Sequence, residues 1–355
     1  MSKRVVVAGG GVAGLEVALR AEKKGFKVTV IDPRPGTVFY PSWHRVLEGE
    51  KAEKYMINFE SKFSGRDIQH VQEKVTDINF ERKEASTGTD SMEYDYLVLA
   101  AGSETNFNGV QGKEYAYTMR SSEDAYNLYS EIESGEASSI TVVGGGATGV
   151  EATASLLSLR KEKDIDVTLV HASERLLPRK KESIGEKVEA CLRDRGANII
   201  LESKAEELTE GCTVLKDGTE IESDAVIWAG GVKASEMIRE LEVEQCRKGV
   251  DVDKHMLTDC ECVFATGDVC HYRGKENRAL YALFESKTVA SNIVRMEKDK
   301  GLKERNIPPD PEILSIGERN GLLEYRGRCI TGITPHLMRT LGVEKRYLWT
   351  RRHLM

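Results

Sequence analysis

Val5-Val6-Val7-Ala8-Gly9-Gly10-Gly11-Val12-Ala13-Gly14 carries the strongest local signal in the chain. A short apolar run is followed by glycines at the spacing G-x-G-x-x-G and then by a helical pattern. The run reads as a buried strand. Gly9 permits a tight turn, Gly11 lets a pyrophosphate approach the backbone, and Gly14 lets the helix pack close to the sheet. The helix start offers unpaired N–H groups and the positive end of a dipole to phosphates. The helix is expected to end near Gly25, before a second strand from Phe26 to Ile31. Asp32 then stands where an acid can accept both hydroxyls of an adenosine ribose, at about the 20-residue distance such units show. Strand, glycine turn, helix, strand and acid together point to dinucleotide binding.

The same plan returns later in the chain. Ile140-Thr141-Val142-Val143 reads as a strand, and Gly144, Gly146 and Gly149 repeat the glycine spacing. A helix to about Lys161, a strand from Val167 to Val170, a helix from Ile184 to Arg195 and a strand from Ile199 to Leu201 follow. Each half also holds a hairpin pattern, Val75 to Gly88 in the first and a turn at Asp217-Gly218 in the second. Each closes on a buried strand running from an aspartate to glycine, Asp95 to Gly102 and Asp224 to Gly231. The repeat predicts an α/β protein with two Rossmann-like, three-layer nucleotide-binding units, hence two dinucleotides.

Residues 33–70 read as a polar, irregular connection containing Phe39-Tyr40-Pro41-Ser42-Trp43-His44. That aromatic segment suits either core packing or a cover over a cofactor ring. Cys262-Val263-Phe264-Ala265-Thr266-Gly267-Asp268 reads as a further strand ending in glycine and a carboxylate, before a helix from about Leu280 to Glu297. Pro308, Pro309 and Pro311 break the chain. The remainder, Glu312 to Met355, shows two short strand patterns and a helix pattern.

At 355 residues the chain is too long for one ordinary core. A net charge of −7 gives no global attraction for nucleic acid. No apolar run approaches the roughly 20 residues that span a bilayer, and a strand begins too early to leave room for a signal peptide. A cytoplasmic protein is expected. The seven cysteines are odd in number and include no C-x-x-C, against a disulfide framework. Cys260 and Cys262 occupy alternate positions of an expected strand, as small sheet residues do. No metal ligands are assigned.

Two nucleotide units followed by Thr266-Gly267-Asp268 resemble the two-dinucleotide-binding-domain flavoproteins, also called the pyridine nucleotide-disulfide oxidoreductase type. The resemblance covers nearly the whole chain. It implies that residues 1–110 and 250–305 bind FAD, that 111–249 bind NADH or NADPH, and that 306–355 form a C-terminal segment. It implies FAD contacts from Gly9, Gly11, Ala13, Gly14, Asp32, Pro41, Ala101, Gly102, Gly267, Asp268 and Ala279, and nucleotide contacts from Gly144, Gly146, Gly149 and Gly231. Glu151 is expected to begin the helix of the second unit and to lie near the nicotinamide as the catalytic carboxylate; the alternative is an acid favoured simply by a helix N-terminus. The spacings C-x-x-C and C-x-x-x-x-C of the disulfide reductases are missing. Trp228-Ala229-Gly230-Gly231-Val232, Ser315-Ile316-Gly317 and the basic C-terminus look like type II NADH:quinone oxidoreductases and their relatives, the apoptosis-inducing-factor-like quinone reductases and sulfide:quinone oxidoreductases. The implied activity passes a hydride from NAD(P)H to flavin and two electrons to a quinone-like acceptor. A sulfide oxidoreductase would use Cys270 and Cys329, and a regulator would bind FAD and NADH without turnover.

Two departures from that family stand out. Its quinone pattern A-Q-x-A-x-Q is here Ala279-Leu280-Tyr281-Ala282-Leu283-Phe284, so Leu280 and Phe284 replace both amide side chains. His171 ends the second strand of the second unit, where an acid would select NADH, and Arg175 lies close enough in sequence to meet a 2′-phosphate. From Tyr325 onward seven basic residues, Arg326, Arg328, Arg339, Lys345, Arg346, Arg351 and Arg352, face one acid, Glu344. Interleaved with Leu337, Met338, Leu341, Tyr347, Leu348 and Trp349, they suit an anionic membrane surface. The same segment could instead dock on its own protein or on a twin subunit.

Overall fold

The computed structural model describes residues 2–38, 42–120, 122–246, 248–308, 312–317, 319–326 and 328–339. Two five-stranded parallel sheets organise it. The first has the order Val263–Ala265, Tyr96–Leu99, Arg4–Ala8, Lys27–Ile31, Ile68–Val71. The second has the order Ala116–Tyr117, Ala225–Trp228, Ser139–Val143, Asp166–Val170, Asn198–Ile200. In both, the strand that feeds the glycine turn is central. On one side lies the strand ending in small residues, on the other the strand ending in Asp32 or His171. The apolar runs arise because such strands are covered on both faces: Val5, Val6, Val7 and Ala8 are all buried.

The second unit is inserted into the first. Val263–Ala265, which completes the first sheet, lies beyond the whole second sheet in sequence and pairs with Leu97 to Leu99. The helix Ala279–Met296 follows it and packs along Val12–Glu22. The two crossings between units pair with each other as an antiparallel ribbon, Ser103–Thr105 against Val232–Ala234.

Three expectations change. Residues 33–70 are not irregular: they hold strands Gly36–Val38 and Met56–Asn58, helices Trp43–Leu47 and Phe59–Phe63, and the edge strand Ile68–Val71. Trp43 and His44 are buried, and Trp43 packs with Val46, Leu47 and Tyr55 in the core of the second unit, so core packing is their role. Phe39, Tyr40 and Pro41 lie outside the described residues. Cys260 and Cys262 are not strand residues: the strand starts at Val263, and Cys262 takes a left-handed φ of 62° in the turn before it. The C-terminal segment forms three strands rather than two, Glu312–Ser315, Gly321–Tyr325 and Arg328–Gly332, then a helix Ile333–Met338.

Each glycine helix lies directly on its own turn. A Cβ on Gly14 would stand 1.9 Å from the Gly9 carbonyl oxygen, and one on Gly149 would stand 1.7 Å from that of Gly144. Neither obstacle is a flexible side chain, so a larger residue must push the helix off the sheet. Gly14→Val is therefore expected to cost at least the ~1–3 kcal/mol typical of overpacking, read as a lower thermal midpoint. An unchanged midpoint would show that the helix can shift freely.

Candidate functional site

The first glycine turn opens onto solvent where a ligand would lie. Gly9 has φ 109°, and a side chain there would strike the Ala100 carbonyl at 2.5 Å. Around Gly11, by contrast, a Cβ would meet nothing within 4 Å. The helix begins at Val12, and its first intrahelical bond runs from Leu15 N–H to Gly11 C=O. The N–H groups ahead of it are left for an anion. Ala13 lies against Gly267, where a Cβ on the glycine would come within 2.9 Å of the alanine methyl.

Asp32 is buried at the end of its strand and is fixed from two sides. One carboxylate oxygen accepts the Gly10 N–H at 2.8 Å, and the other accepts the Arg34 N–H at 2.9 Å. The Arg34 guanidinium forks onto both oxygens at 2.9 and 2.7 Å. Burial on its own would raise this carboxyl; the Arg34 guanidinium and the two backbone N–H groups outweigh it and hold the group below the usual range. The acid is thus ionised and preorganised.

The second turn repeats this geometry with a different end group. Gly144 has φ 121° against the Ala229 carbonyl, and Gly146 faces open space as Gly11 does. Where Gly10 donates to a carboxylate, Gly145 donates its N–H to His171 Nδ1 at 3.0 Å. That bond fixes the tautomer: Nδ1 is the acceptor, so Nε2 carries the proton. Burial lowers the His171 pKa, keeping the ring neutral. Nε2 is itself buried without a protein partner, a donor in the position where the first unit has an acceptor. Arg175 does not stand ready beside it. Its guanidinium donates to the Lys180 and Pro178 carbonyls at 2.8 and 3.0 Å, closing its own loop.

Between the turns lies the crossing ribbon. Gly102 (φ 71°) and Gly231 (φ 116°) end the two small-residue strands, and a side chain on either would meet open space. Ala101 is half-buried beside Gly102. Ser103 donates to Asp268 Oδ2 at 3.1 Å, and Arg120 reaches the Ser103 carbonyl and hydroxyl. Gly267 N–H donates at 2.9 Å to Glu285, a fully buried carboxylate that also takes Tyr272 Oη–H and the Lys275 ammonium. Burial on its own would lower the Lys275 pKa; Cys270 and the Glu285 carboxylate beside it outweigh that, and the pKa is raised. Ser103, Arg120, Arg34 and Glu285 carry no local motif, which is why sequence reasoning passes over them. Ala279 opens the helix Ala279–Met296 and packs against the first core, with Leu280 and Phe284 half-buried on its first turns.

Glu151 lies one turn inside the helix Ala147–Leu159 rather than at its start. Its carboxylate accepts the Ser315 N–H at 3.0 Å and pairs with Arg339 at 2.6 Å, both side chains being about nine-tenths buried. Arg339 also donates to the Ile313 carbonyl. Through these contacts Glu151 holds the C-terminal sheet against the second unit. Cys270 is buried, its thiol pushed far up by burial and by Glu285. It belongs to the first core, whereas Cys329 packs against the second.

The sequence profile described as pyridine nucleotide-disulphide oxidoreductase matches residues 3–291. The chain is 28% identical over 364 residues to a protein named type II NADH:quinone oxidoreductase in Haemophilus influenzae, covering 85% of this chain and 82% of that relative. In fold it is similar to NDH2 from Plasmodium falciparum in complex with NADH, with a TM-score of 0.87 and 15% identity over 100% of this chain and 97% of that one. It is equally similar to the sulfide:quinone oxidoreductase of Aquifex aeolicus, with a TM-score of 0.87 and 21% identity over 99% and 92%.

Removing one member of a buried ion pair typically costs ~3–5 kcal/mol, because the other charge is left uncompensated. Glu151→Ala is therefore expected to loosen residues 312–339 first. Limited proteolysis should cut that sheet much faster than in the wild type while the two glycine units stay folded. Equal cutting rates would mean the pair does not hold the segment.

Proposed function

The chain belongs to the pyridine nucleotide-disulphide oxidoreductase family, and from that membership we propose an FAD-dependent NAD(P)H oxidoreductase that delivers two electrons to a quinone-like acceptor. One observation carries the reading: two glycine cradles of the same build, each open at its second glycine, end in sheets that are tied together by one ribbon. Such a pair of cradles suits FAD and a nicotinamide nucleotide, the first in the unit of Asp32 and the second in that of His171. Bound flavin supplies the redox chemistry; the protein supplies placement, orientation and exclusion of water.

In this reading, Gly11 and the N-terminus of Val12–Glu22 receive the FAD pyrophosphate, and Asp32 exchanges guanidinium contacts for ribose hydroxyls. Ser103 and Glu285 hold the turn of Gly267 and Asp268 beside the flavin. Gly146 and the N-terminus of Ala147–Leu159 receive the nicotinamide nucleotide. Leu280 and Phe284 give the acceptor an apolar seat in place of amide hydrogen bonds, favouring a ring held by its faces. The sulfide alternative is disfavoured by Cys270, which is sealed in the core beside a carboxylate and cannot readily become a thiolate.

The exposed Ile330, Ile333, Leu337 and Met338, with Arg326 and Arg328 nearby in sequence, favour a membrane surface as the place of reaction. No helix among the described residues is long and apolar enough to cross a membrane. Leu341, Glu344, Lys345, Arg346, Tyr347, Leu348, Trp349, Arg351 and Arg352 lie outside the described residues.

The direct test is turnover. The purified chain should carry about one FAD, oxidise NADH continuously with a soluble quinone, and show no reduction by sulfide. Gly11→Val should fold yet lose the flavin, since its side chain would fill only the ligand's space. A wild-type chain that takes up no FAD would overturn the reading. Coenzyme choice is a separate expectation. His171 offers a neutral donor, so the wild type should discriminate weakly between NADH and NADPH. His171→Glu should shift the ratio of kcat/KM values toward NADH by about tenfold or more, because a carboxylate accepts from a 2′-hydroxyl and repels a 2′-phosphate. An unchanged ratio would show that residue 171 does not face the ribose. Finally, a basic residue near an anionic surface contributes about 1 kcal/mol. Deleting residues 340–355 should release the protein from anionic vesicles while leaving ferricyanide reduction intact. Equal vesicle binding by both chains would remove the anchor from the proposal.

A further inference from the structure

A small three-stranded sheet lies beside the turn of Asp268. Its strands are Gln245–Cys246, Gly249–Asp251 and Cys270–His271. The first pair is antiparallel, with Cys246 opposite Gly249. The second is parallel, with Asp251 opposite His271. Side chains two apart on a strand share a face, so Asp251 lies on the face of Gly249. Cys246 and His271, each opposite one of them, lie on that face too. Gly249 contributes no side chain there, so Cys246 reaches diagonally toward Asp251. One donor atom from each of Cys246, Asp251 and His271 lies within 4.8 Å of the others. His271 Nδ1 and an Asp251 oxygen are already 2.7 Å apart. The Lys248 N–H donates to the Cys246 sulfur at 3.4 Å, which helps fix where that sulfur lies.

A sulfur, an imidazole nitrogen and a carboxylate oxygen are the donor set of a tetrahedral zinc-type ion, with bonds of about 2.0–2.3 Å and ligands therefore ~3.3–3.8 Å apart. The three donor atoms, all within 4.8 Å of one another, lie within reach of that spacing. The backbone beneath is fixed by fully buried Val250 and almost fully buried Cys270. The three groups are half-buried, leaving an approach from solvent and room for water as the fourth ligand. A thiolate and an imidazole select against magnesium and calcium, which prefer oxygen.

We propose that Cys246, Asp251 and His271 form a binding site for one zinc-type divalent cation, which staples this sheet. Loading breaks the thiol S–H bond, sends that proton to solvent and forms a metal–sulfur bond. The imidazole keeps its one proton, carried on the nitrogen that does not meet the metal. Sequence reading names no such site because the three residues have no metal-ligand spacing; only the strand register brings them together.

The test uses the full chain with its flavin, stripped by a chelator and titrated with cobalt(II), then zinc. The expected result is one cobalt per chain, a thiolate-to-cobalt charge-transfer absorption, and its displacement by zinc but not by magnesium. Cys246→Ser should abolish that absorption. His271→Gln and Asp251→Asn should each weaken binding by about tenfold or more, and Cys260→Ser should change neither. Flavin absorbance and circular dichroism report whether each variant is folded. Should His271→Gln fail to fold, the outer-strand variants Cys246→Ser and Cys246→Ala carry the test. No stoichiometric binding by the wild type, or an unchanged absorption in Cys246→Ser, would overturn the proposal.

Discussion

A side chain at Gly14 would fall almost on the carbonyl oxygen of Gly9, and one at Gly149 on that of Gly144. The helix can therefore begin at once over its own turn, and much else follows from that closeness. The helix N-terminus is aimed across the end of the central strand, where chain direction diverges to either side. The second glycine is left facing open space. The neighbouring strand brings its last residue under the turn, so that the N–H of Gly10 meets Asp32 and that of Gly145 meets His171. One steric constraint thus builds the cradle, orients its dipole and fixes the protonation or tautomer of the group at its floor.

Duplicating a cradle does not by itself place two ligands near each other. In the proposed reading that is the work of the insertion. The chain leaves the first sheet through Ser103–Thr105 and returns through Val232–Ala234, and the two crossings hydrogen-bond as a ribbon. Ser103 also reaches Asp268 on the returning chain, and Glu285 holds Gly267 from the following helix. Burying Glu285 is costly unless its oxygens are satisfied; Gly267, Tyr272 and Lys275 satisfy them. The network holds a turn in which Gly267 sits at φ 77°, a left-handed conformation that glycine adopts readily.

The C-terminal segment is attached by similar means. Its sheet is docked by Leu314, Ile316 and Leu322 in the second core and by the Glu151–Arg339 pair. Its outer surface keeps Ile330, Ile333, Leu337 and Met338 in solvent. Apolar side chains in sequence-adjacent strand and helix, on a segment tied down from behind, suit a face that meets something other than water.

The central strands of both sheets and the two cradles are legible in the sequence alone. Apolar runs, glycine spacing and a terminal acid are local signals, because the steric demands they answer are local. Asp32 and His171 are legible for the same reason. The order of edge strands was decided only in three dimensions: Ile68–Val71 hides in a segment that reads as irregular, and Val263–Ala265 pairs with Leu97 to Leu99 from the far side of the whole second unit. So were the partners of charged groups. Nothing near Glu151 in sequence announces Arg339, and nothing near Cys246 announces His271, since each pairing depends on register and docking between distant elements. A pattern reveals what a residue needs from its neighbours along the chain; only packing reveals which residue across the fold supplies the rest.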